Sequence, residues 1–315
     1  MKIIVDTANF KEFPLLKLKE DFSDVEFVFE KNPDKIKEEI EDADAIICMK
    51  LSNEALDKAK KLKWIQATTA GVDFWPIEKL NDKGIILTTA RGVHKSHISE
   101  YAISMMIMSS RNIHNFILQK KSKKMMWLGK GQDEISGKKL GIIGLGSIGK
   151  ELAKKADFLG MDVYGVKRTV EKVDYVKKVF DQDNMDWIFE NCDYIINLLP
   201  YTKDTFSLIN KKYFDMVKPT STMINIGRGK TVNEEDLYIA LKNKQMKLYI
   251  SDVFVEEPLP ETSPLWDLDN IIITPHIAGP NANYSKKLYE VIKPNIESFI
   301  NSNELNNKYD LKKGY

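Results

Sequence analysis

Three stretches in the later half of the chain carry side chains that could do chemistry together. INIGRGKTVNEEDL places Arg228 between two glycines, SDVFVEEPLPETSPLW places Glu257 in a proline-rich segment, and IIITPHIAGP places His276 between Pro275 and a run of small residues. Each stretch begins as an apolar, strand-like run. Each side chain is therefore expected just past the carboxyl end of a strand, and the three are expected to face one cleft. A guanidinium, a carboxylate and an imidazole grouped in this way suit reduction of a 2-keto acid. Arg228 would bind the substrate carboxylate through its planar fork and polarise the keto oxygen. His276 would protonate that oxygen as hydride arrives, while Glu257 would hold the imidazole and favour its charged form.

Hydride needs a carrier, and the stretch GLGSIG, Gly144 to Gly149, has the form of a dinucleotide turn. It follows the strand-like KLGII and opens the helix-like KELAKKADFLG, the context such a turn requires. Gly144 permits the tight turn, Gly146 lets backbone approach a pyrophosphate, and Gly149 lets the helix pack on the strand. The phosphates would meet free N–H groups and the positive end of the helix dipole. Farther along, where such a unit usually carries an acid for the ribose hydroxyls, the chain reads YGVKRT. Lys167, Arg168 and Thr169 stand there instead. Two cations and a hydroxyl can hold a 2′-phosphate by charge-assisted contacts, so the preferred cofactor is expected to be NADP, with NAD less favoured.

The elements that must position these groups alternate in kind. Strand-like runs at 2–5, 25–29, 45–49, 64–68 and 85–89 are separated by charged helix-like stretches, and the pattern restarts with runs at 139–144, 162–166, 194–200, 222–227, 247–254 and 271–275. This reads as α/β, with two doubly wound parallel sheets. The expected domains are 1–98 plus 281–315 for substrate and 99–280 for the dinucleotide, with the site in the cleft between them. A helix over about 96–118 is apolar almost all round and should be buried or lie at a subunit interface. The tail NELNNKYDLKKGY is polar and expected to be partly ordered at best.

The totals agree with such an enzyme. The chain has 315 residues, 43% of them hydrophobic, and a formal net charge of +1. Two domains fit that length, and no global field calls for nucleic acid or an anionic membrane. Cys48 and Cys192 lie in apolar runs and read as buried small hydrophobes. No cysteine–histidine cluster suggests a metal, the first residues lack a signal-peptide core, and no run approaches the roughly 20 apolar residues of a membrane span. A cytoplasmic protein is expected.

In TAGVD (69–73), GLGSIG, LLPYTKDT (198–205), NIGRG (225–229), DVFVEEPLP (252–260) and TPHIAG (274–279), the sequence resembles the D-isomer-specific 2-hydroxyacid dehydrogenases over essentially its whole length. The resemblance implies a Rossmann cofactor domain, a flavodoxin-like substrate domain and a catalytic Arg–Glu–His set that maps onto Arg228, Glu257 and His276. Glu257 is preferred to Glu256 because the family's acid directly precedes the proline. It further implies that backbone N–H groups of Gly71 and Val72 grip the substrate carboxylate. Ser147 and Ile148 would lie along the pyrophosphate, Leu199, Pro200 and Thr205 would line the cofactor, and Asp252 would lie near the nicotinamide. GVKRT looks like the NADP-preferring branch, which includes glyoxylate and hydroxypyruvate reductases.

The expected activity is NADP-dependent reduction of a small 2-keto acid to the D-2-hydroxy acid by a homodimer. Phosphoglycerate dehydrogenase would want NAD and often an added regulatory domain. Formate dehydrogenase puts a Gln where Glu257 stands. A nucleotide-sensing co-repressor of the same fold is the rival from another class. His94, His97, His114 and Asp73 read as structural, Lys50 and Ser96 as candidates for the substrate side, and Trp75 as a wall of the pocket. The cluster MMWLG (125–129), with Trp127, reads as a subunit contact.

Overall fold

The computed structural model describes residues 1–8, 12–123 and 132–310, so the MMWLG cluster lies outside the described residues. The chain divides into two compact units, Met1–His94 with Pro280–Tyr315, and Lys95–Gly279.

The first unit is a five-stranded sheet of β1 (Lys2–Asp6), β2 (Glu26–Glu30), β3 (Ala45–Cys48), β4 (Trp64–Ala67) and β5 (Ile86–Thr88). The order is β2-β1-β3-β4-β5 and every pairing is parallel. That is the flavodoxin-like winding. β3 and β4 are buried along their whole length, which explains why AIIC and WIQA read as continuous apolar runs rather than alternating ones. Helices α1 (Glu12–Asp21), α2 (Pro33–Glu39), α3 (Asn53–Lys58) and α4 (Ile77–Asp82) connect the strands.

The second unit opens with α5 (Lys95–Ser110) and α6 (Ile113–Ser122). The single helix expected over 96–118 is thus two. The break falls at Arg111–Asn112, where Asn112 adopts φ 57°, a left-handed conformation that stops an α-helix. α5 buries Ile98, Ala102 and Met106 with Leu152, Ala153 and Ala156 of α7 (Ser147–Phe158) in one core cluster. The opposite side of α5 and α6 leaves Ile107, Ile113, Ile117 and Leu118 exposed.

Seven parallel strands follow: β6 (Lys139–Ile143), β7 (Asp162–Val166), β8 (Lys178–Phe180), β9 (Tyr194–Asn197), β10 (Thr222–Asn225), β11 (Leu248–Ser251) and β12 (Ile271–Ile273). Between them lie α8 (Asp186–Asn191), α9 (Lys211–Phe214) and α10 (Glu234–Lys242). The order β12-β11-β10-β9-β6-β7-β8 winds outward in both directions from β6 and β9, so the switch point lies between those two strands. β8 has only three residues, in the lysine-rich KKVF, and gave no apolar run to find.

The chain returns to the first unit with α11 (Tyr284–Ile300), whose Leu288, Ile292 and Ile296 are fully buried against Ile3, Val5, Leu15 and Leu18. The tail that follows is docked through its described residues. Asn306 N–H donates to Asn295 Oδ1 at 2.7 Å, Thr89 N–H to the Asn307 carbonyl and Tyr309 N–H to the Leu87 carbonyl. These bonds dock the described part of the tail along the edge of β5. Side chains join in, with Leu305 buried in the core beside α11 and the Asn307 amide donating to the Arg91 carbonyl at 3.0 Å.

Candidate active site

The glycine turn stands at the switch point. Gly144 takes φ +108°, and a Cβ there would come within 3.2 Å of the Leu198 carbonyl group just past β9. A Cβ on Gly149 would lie 2.4 Å from the Gly144 carbonyl oxygen, so only glycine lets α7 start so close to β6. At Gly146, which caps α7 without a side-chain hydrogen bond, a Cβ would meet nothing within 4 Å. Gly144 and Gly149 are thus required by the protein's own packing, whereas Gly146 is not. Open space over a helix N-terminus, with Ser147 and Ile148 as its first residues, fits a pyrophosphate.

Past β7 the Lys167 N–H is bonded to the Phe180 carbonyl of β8. Its ammonium pairs with Glu171, four residues on, which holds the Glu171 carboxyl below its usual range. Arg168 and Thr169 are exposed beside it. Glu171 lies four residues past the position where a dinucleotide unit carries its acid, so the sequence spacing alone does not mark it.

After β9 and β10 two buried asparagines organise the loops. Asn197 donates to Asn225 Oδ1 at 2.9 Å and to the Thr231 hydroxyl at 2.7 Å, and its own oxygen accepts the Leu199 N–H. Thr231 in turn donates to the Arg228 carbonyl at 2.6 Å. Arg228, half-buried, is therefore set by its backbone at the entry to a short 3-10 turn, Gly229–Thr231. The loop that begins Leu199–Pro200 is closed by Thr205, whose buried hydroxyl donates to the Pro200 carbonyl at 2.7 Å. Thr205 holds the loop's shape, while Leu199 and Pro200 are its more exposed members.

His276 and Glu257 meet directly, Nδ1 to Oε2 at 2.7 Å, with the imidazole about half exposed at 50%. Glu257 is oriented by its other oxygen, which accepts the Phe254 N–H at 2.9 Å. The bond holds the ring through Nδ1, so Nε2 is the nitrogen turned away from Glu257. His276 sits at φ 54°, an uncommon conformation for a side chain with a Cβ. Its N–H is bonded to the Asp252 and Thr274 carbonyls. The Asp252 carboxylate, 1% exposed, accepts the Thr274 hydroxyl at 2.6 Å and the N–H groups of Ile277 and Ala278 at 2.9 Å each. Tyr101 of α5 completes the brace with a 2.7 Å bond to Thr274. Burial pushes its hydroxyl up to about 12, so it stays a donor at working pH. Asp252 is thus the residue that shapes the turn presenting His276.

Arg228 and the Glu257 loop are locked by contact of backbones. A Cβ on Gly229 would fall 1.9 Å from the Phe254 carbonyl carbon. The residue after Arg228 therefore lies against the residue whose N–H orients Glu257. Among the described residues no cluster of side chains could hold a metal ion.

In the first unit, the turn after β4 is closed by Thr69, which donates to the Gly71 carbonyl at 2.8 Å, and Val72 is buried beneath it. Trp75 is 5% exposed and belongs to the core with Val72 and Leu80. Lys50 is exposed past β3. His94 stacks on Tyr284, His97 bonds the Gly279 carbonyl at 2.7 Å, and Ser96 donates to Glu100.

A family model described as D-isomer specific 2-hydroxyacid dehydrogenase, NAD binding domain, matches residues 103–278. The chain belongs to the D-isomer specific 2-hydroxyacid dehydrogenases, a family of NAD(P)-dependent oxidoreductases. It is 30% identical over 275 residues to a glyoxylate reductase of Thermococcus litoralis, covering 83% of this chain and 82% of that one. It is also 30% identical to a D-3-phosphoglycerate dehydrogenase of Methanocaldococcus jannaschii over 90% of this chain, and spans 55% of the length of that relative. Among solved structures, a D-isomer specific 2-hydroxyacid dehydrogenase family protein from Aeromonas salmonicida subsp. salmonicida is 29% identical, with a TM-score of 0.85 over 98% of each chain.

Proposed function

We propose that the protein reduces a short 2-keto acid, of the glyoxylate or hydroxypyruvate kind, to the D-2-hydroxy acid, with NADPH as preferred cofactor. The observation that carries this reading is the 2.7 Å Glu257–His276 pair, on a braced turn in the same sheet as the glycine turn. A bound nicotinamide supplies the hydride to the keto carbon. The C=O electron pair moves to the oxygen, and His276 Nε2 delivers the proton there. Glu257 stabilises the imidazolium before transfer and holds its tautomer afterwards. Arg228 binds the carboxylate and polarises the keto oxygen, and the N–H groups of Gly71 and Val72 hold the carboxylate's other side. Gly144, Gly146, Ser147, Ile148 and Gly149 would hold the pyrophosphate, Lys167, Arg168 and Thr169 the 2′-phosphate, and Leu199 and Pro200 the remainder of the cofactor's seat, with the buried Thr205 and Asp252 shaping the loops beneath it. The similarity to glyoxylate reductases supports the substrate class.

The deciding assay pairs NADPH and NADH with glyoxylate, hydroxypyruvate, pyruvate and 3-phosphohydroxypyruvate. NADPH is expected to give a kcat/KM at least about tenfold higher, given roughly 1–3 kcal/mol for each charge-assisted phosphate contact. Equal or better use of NADH ends the cofactor assignment, and no turnover with any keto acid favours a nucleotide-binding regulator instead. One observation favours NAD: Glu171 already neutralises Lys167 and could take the ribose hydroxyls. The same assay separates the two.

Gly146 and Gly149 give a second test. Gly149→Ala should lose about 1–3 kcal/mol of stability, because the added methyl meets backbone. Gly146→Ala should keep the wild-type Tm yet weaken NADPH binding tenfold or more, roughly 1.4 kcal/mol. Calorimetric titration showing unchanged NADPH affinity in Gly146→Ala would remove the pyrophosphate from that turn.

The exposed apolar face of Ile107, Ile113, Ile117 and Leu118 supports a homodimer. Two free, buried cysteines suit the reducing cytoplasm.

A further inference from the structure

A second carboxylate stands behind the Glu257–His276 pair. Glu234 is the first residue of α10, where Asn233 already caps the helix by accepting the Glu235 and Asp236 N–H groups at 3.1 Å each. Glu234 is therefore not needed as the cap. Its side chain reaches across to the Val255 N–H, accepting it at 2.7 Å. The neighbouring N–H, that of Phe254, is held by Glu257 at 2.9 Å. Two acids thus grip consecutive N–H groups of one loop, and one of them continues to the imidazole.

We propose that Glu234 is a positioning residue of the acid–base pair: it anchors the loop that carries Glu257 and adds a second negative charge that favours the imidazolium of His276. The proposal rests on His276 as proton donor and goes beyond it.

Placing two carboxylates together costs free energy unless a positive charge is shared between them. Burial, and then the Glu257 charge, raise the Glu234 carboxyl above its usual value, in keeping with that cost. The titratable groups facing Glu234 are Glu257 and the fully buried Tyr249 hydroxyl of β11, which burial holds neutral. Around the imidazole stand Glu257 and, through the backbone of its turn, Asp252. Glu257 pairs directly with His276 at 2.7 Å, so the charge of Glu234 reaches the imidazole through the neighbouring Glu257 carboxylate. A residue that only capped α10 would have no effect on the imidazole. One that supports Glu257 through charge would.

Glu234→Gln keeps the oxygen that accepts the Val255 N–H and removes the charge. Glu234→Ala removes both. The chain has only four histidines, so the His276 imidazole can be followed by ¹⁵N NMR, with His276→Ala to assign it, independently of turnover. In Glu234→Gln the His276 midpoint and the alkaline limb of kcat/KM for reduction should both move down by about half a pH unit, since a lost neighbouring charge disfavours the charged imidazole. Plateau kcat should stay within about threefold of wild type, because the loop anchor survives. Glu234→Ala should lower plateau kcat by about tenfold or more through the freed loop, with NADPH affinity unchanged. A Glu234→Gln enzyme whose His276 midpoint matches wild type overturns the proposal, even if activity falls. Loss of turnover in the wild-type enzyme with a shifted midpoint in the variant would instead count against the proposed reaction and leave the Glu234–His276 coupling supported.

Discussion

His276→Ala is expected to lower kcat for keto-acid reduction by about 10²- to 10⁴-fold, the range for loss of a positioned general acid. The affinity for NADPH should be nearly unchanged. The reason lies in how the imidazole is held. Its backbone is fixed by Asp252 and Thr274, and its ring by Glu257 at 2.7 Å, so alanine removes the proton donor without freeing the turn. The Asp252 bonds to Ile277 and Ala278 do not involve the imidazole and should survive. Single-turnover reduction followed by NADPH absorbance, together with a binding titration, separates the two effects. A near-normal kcat in this variant would mean that another group gives the proton.

Gly229→Ala should be more damaging than its size suggests. The added methyl would lie 1.9 Å from the Phe254 carbonyl carbon and 2.1 Å from its oxygen, and backbone cannot swing aside as a side chain can. Either the segment after Arg228 or the loop holding Glu257 must move, and the two were positioned against each other. Overpacking of this kind costs about 3 kcal/mol at the upper end of the ordinary range, or a Tm lowered by roughly 6–12 °C. A misplacement near 1 Å also costs about 10²-fold in rate. Gly279→Ala is the control, since a Cβ there meets nothing within 4 Å. Thermal melts and kcat for the two variants give the comparison. Wild-type Tm and kcat in Gly229→Ala would contradict the close approach of Arg228 and the Glu257 loop.

Much of this protein was legible before folding. The parallel α/β class followed from apolar runs alternating with charged helical stretches, because strands covered on both faces are mostly apolar, as in β3, β4, β9 and β10, with Gln66, Asn197, Thr222 and Asn225 among their polar members. The glycine turn was legible because its glycines answer local demands, a positive φ at Gly144 and a helix packed on a strand at Gly149. The split of the helix at Asn112 was not, because the apolar pattern continues through a residue whose backbone turns left-handed. Nor was the docking of the tail, where backbone hydrogen bonds and the single buried Leu305 leave no periodic apolar pattern.

The sequence by itself determined most of the elements, the strand ends on which Arg228, Glu257 and His276 stand, and the lysine and arginine where an acid is customary. Those depend on local periodicity and turn chemistry, which neighbouring residues encode. Only the tertiary structure decided that Glu234 shares the loop of Glu257 and that Asp252 shapes the turn of His276. The Glu234–Val255 and Asp252–Ala278 bonds join residues 21 and 26 positions apart, and contacts at that range exist only once parallel strands have brought separate loops to one edge of the sheet.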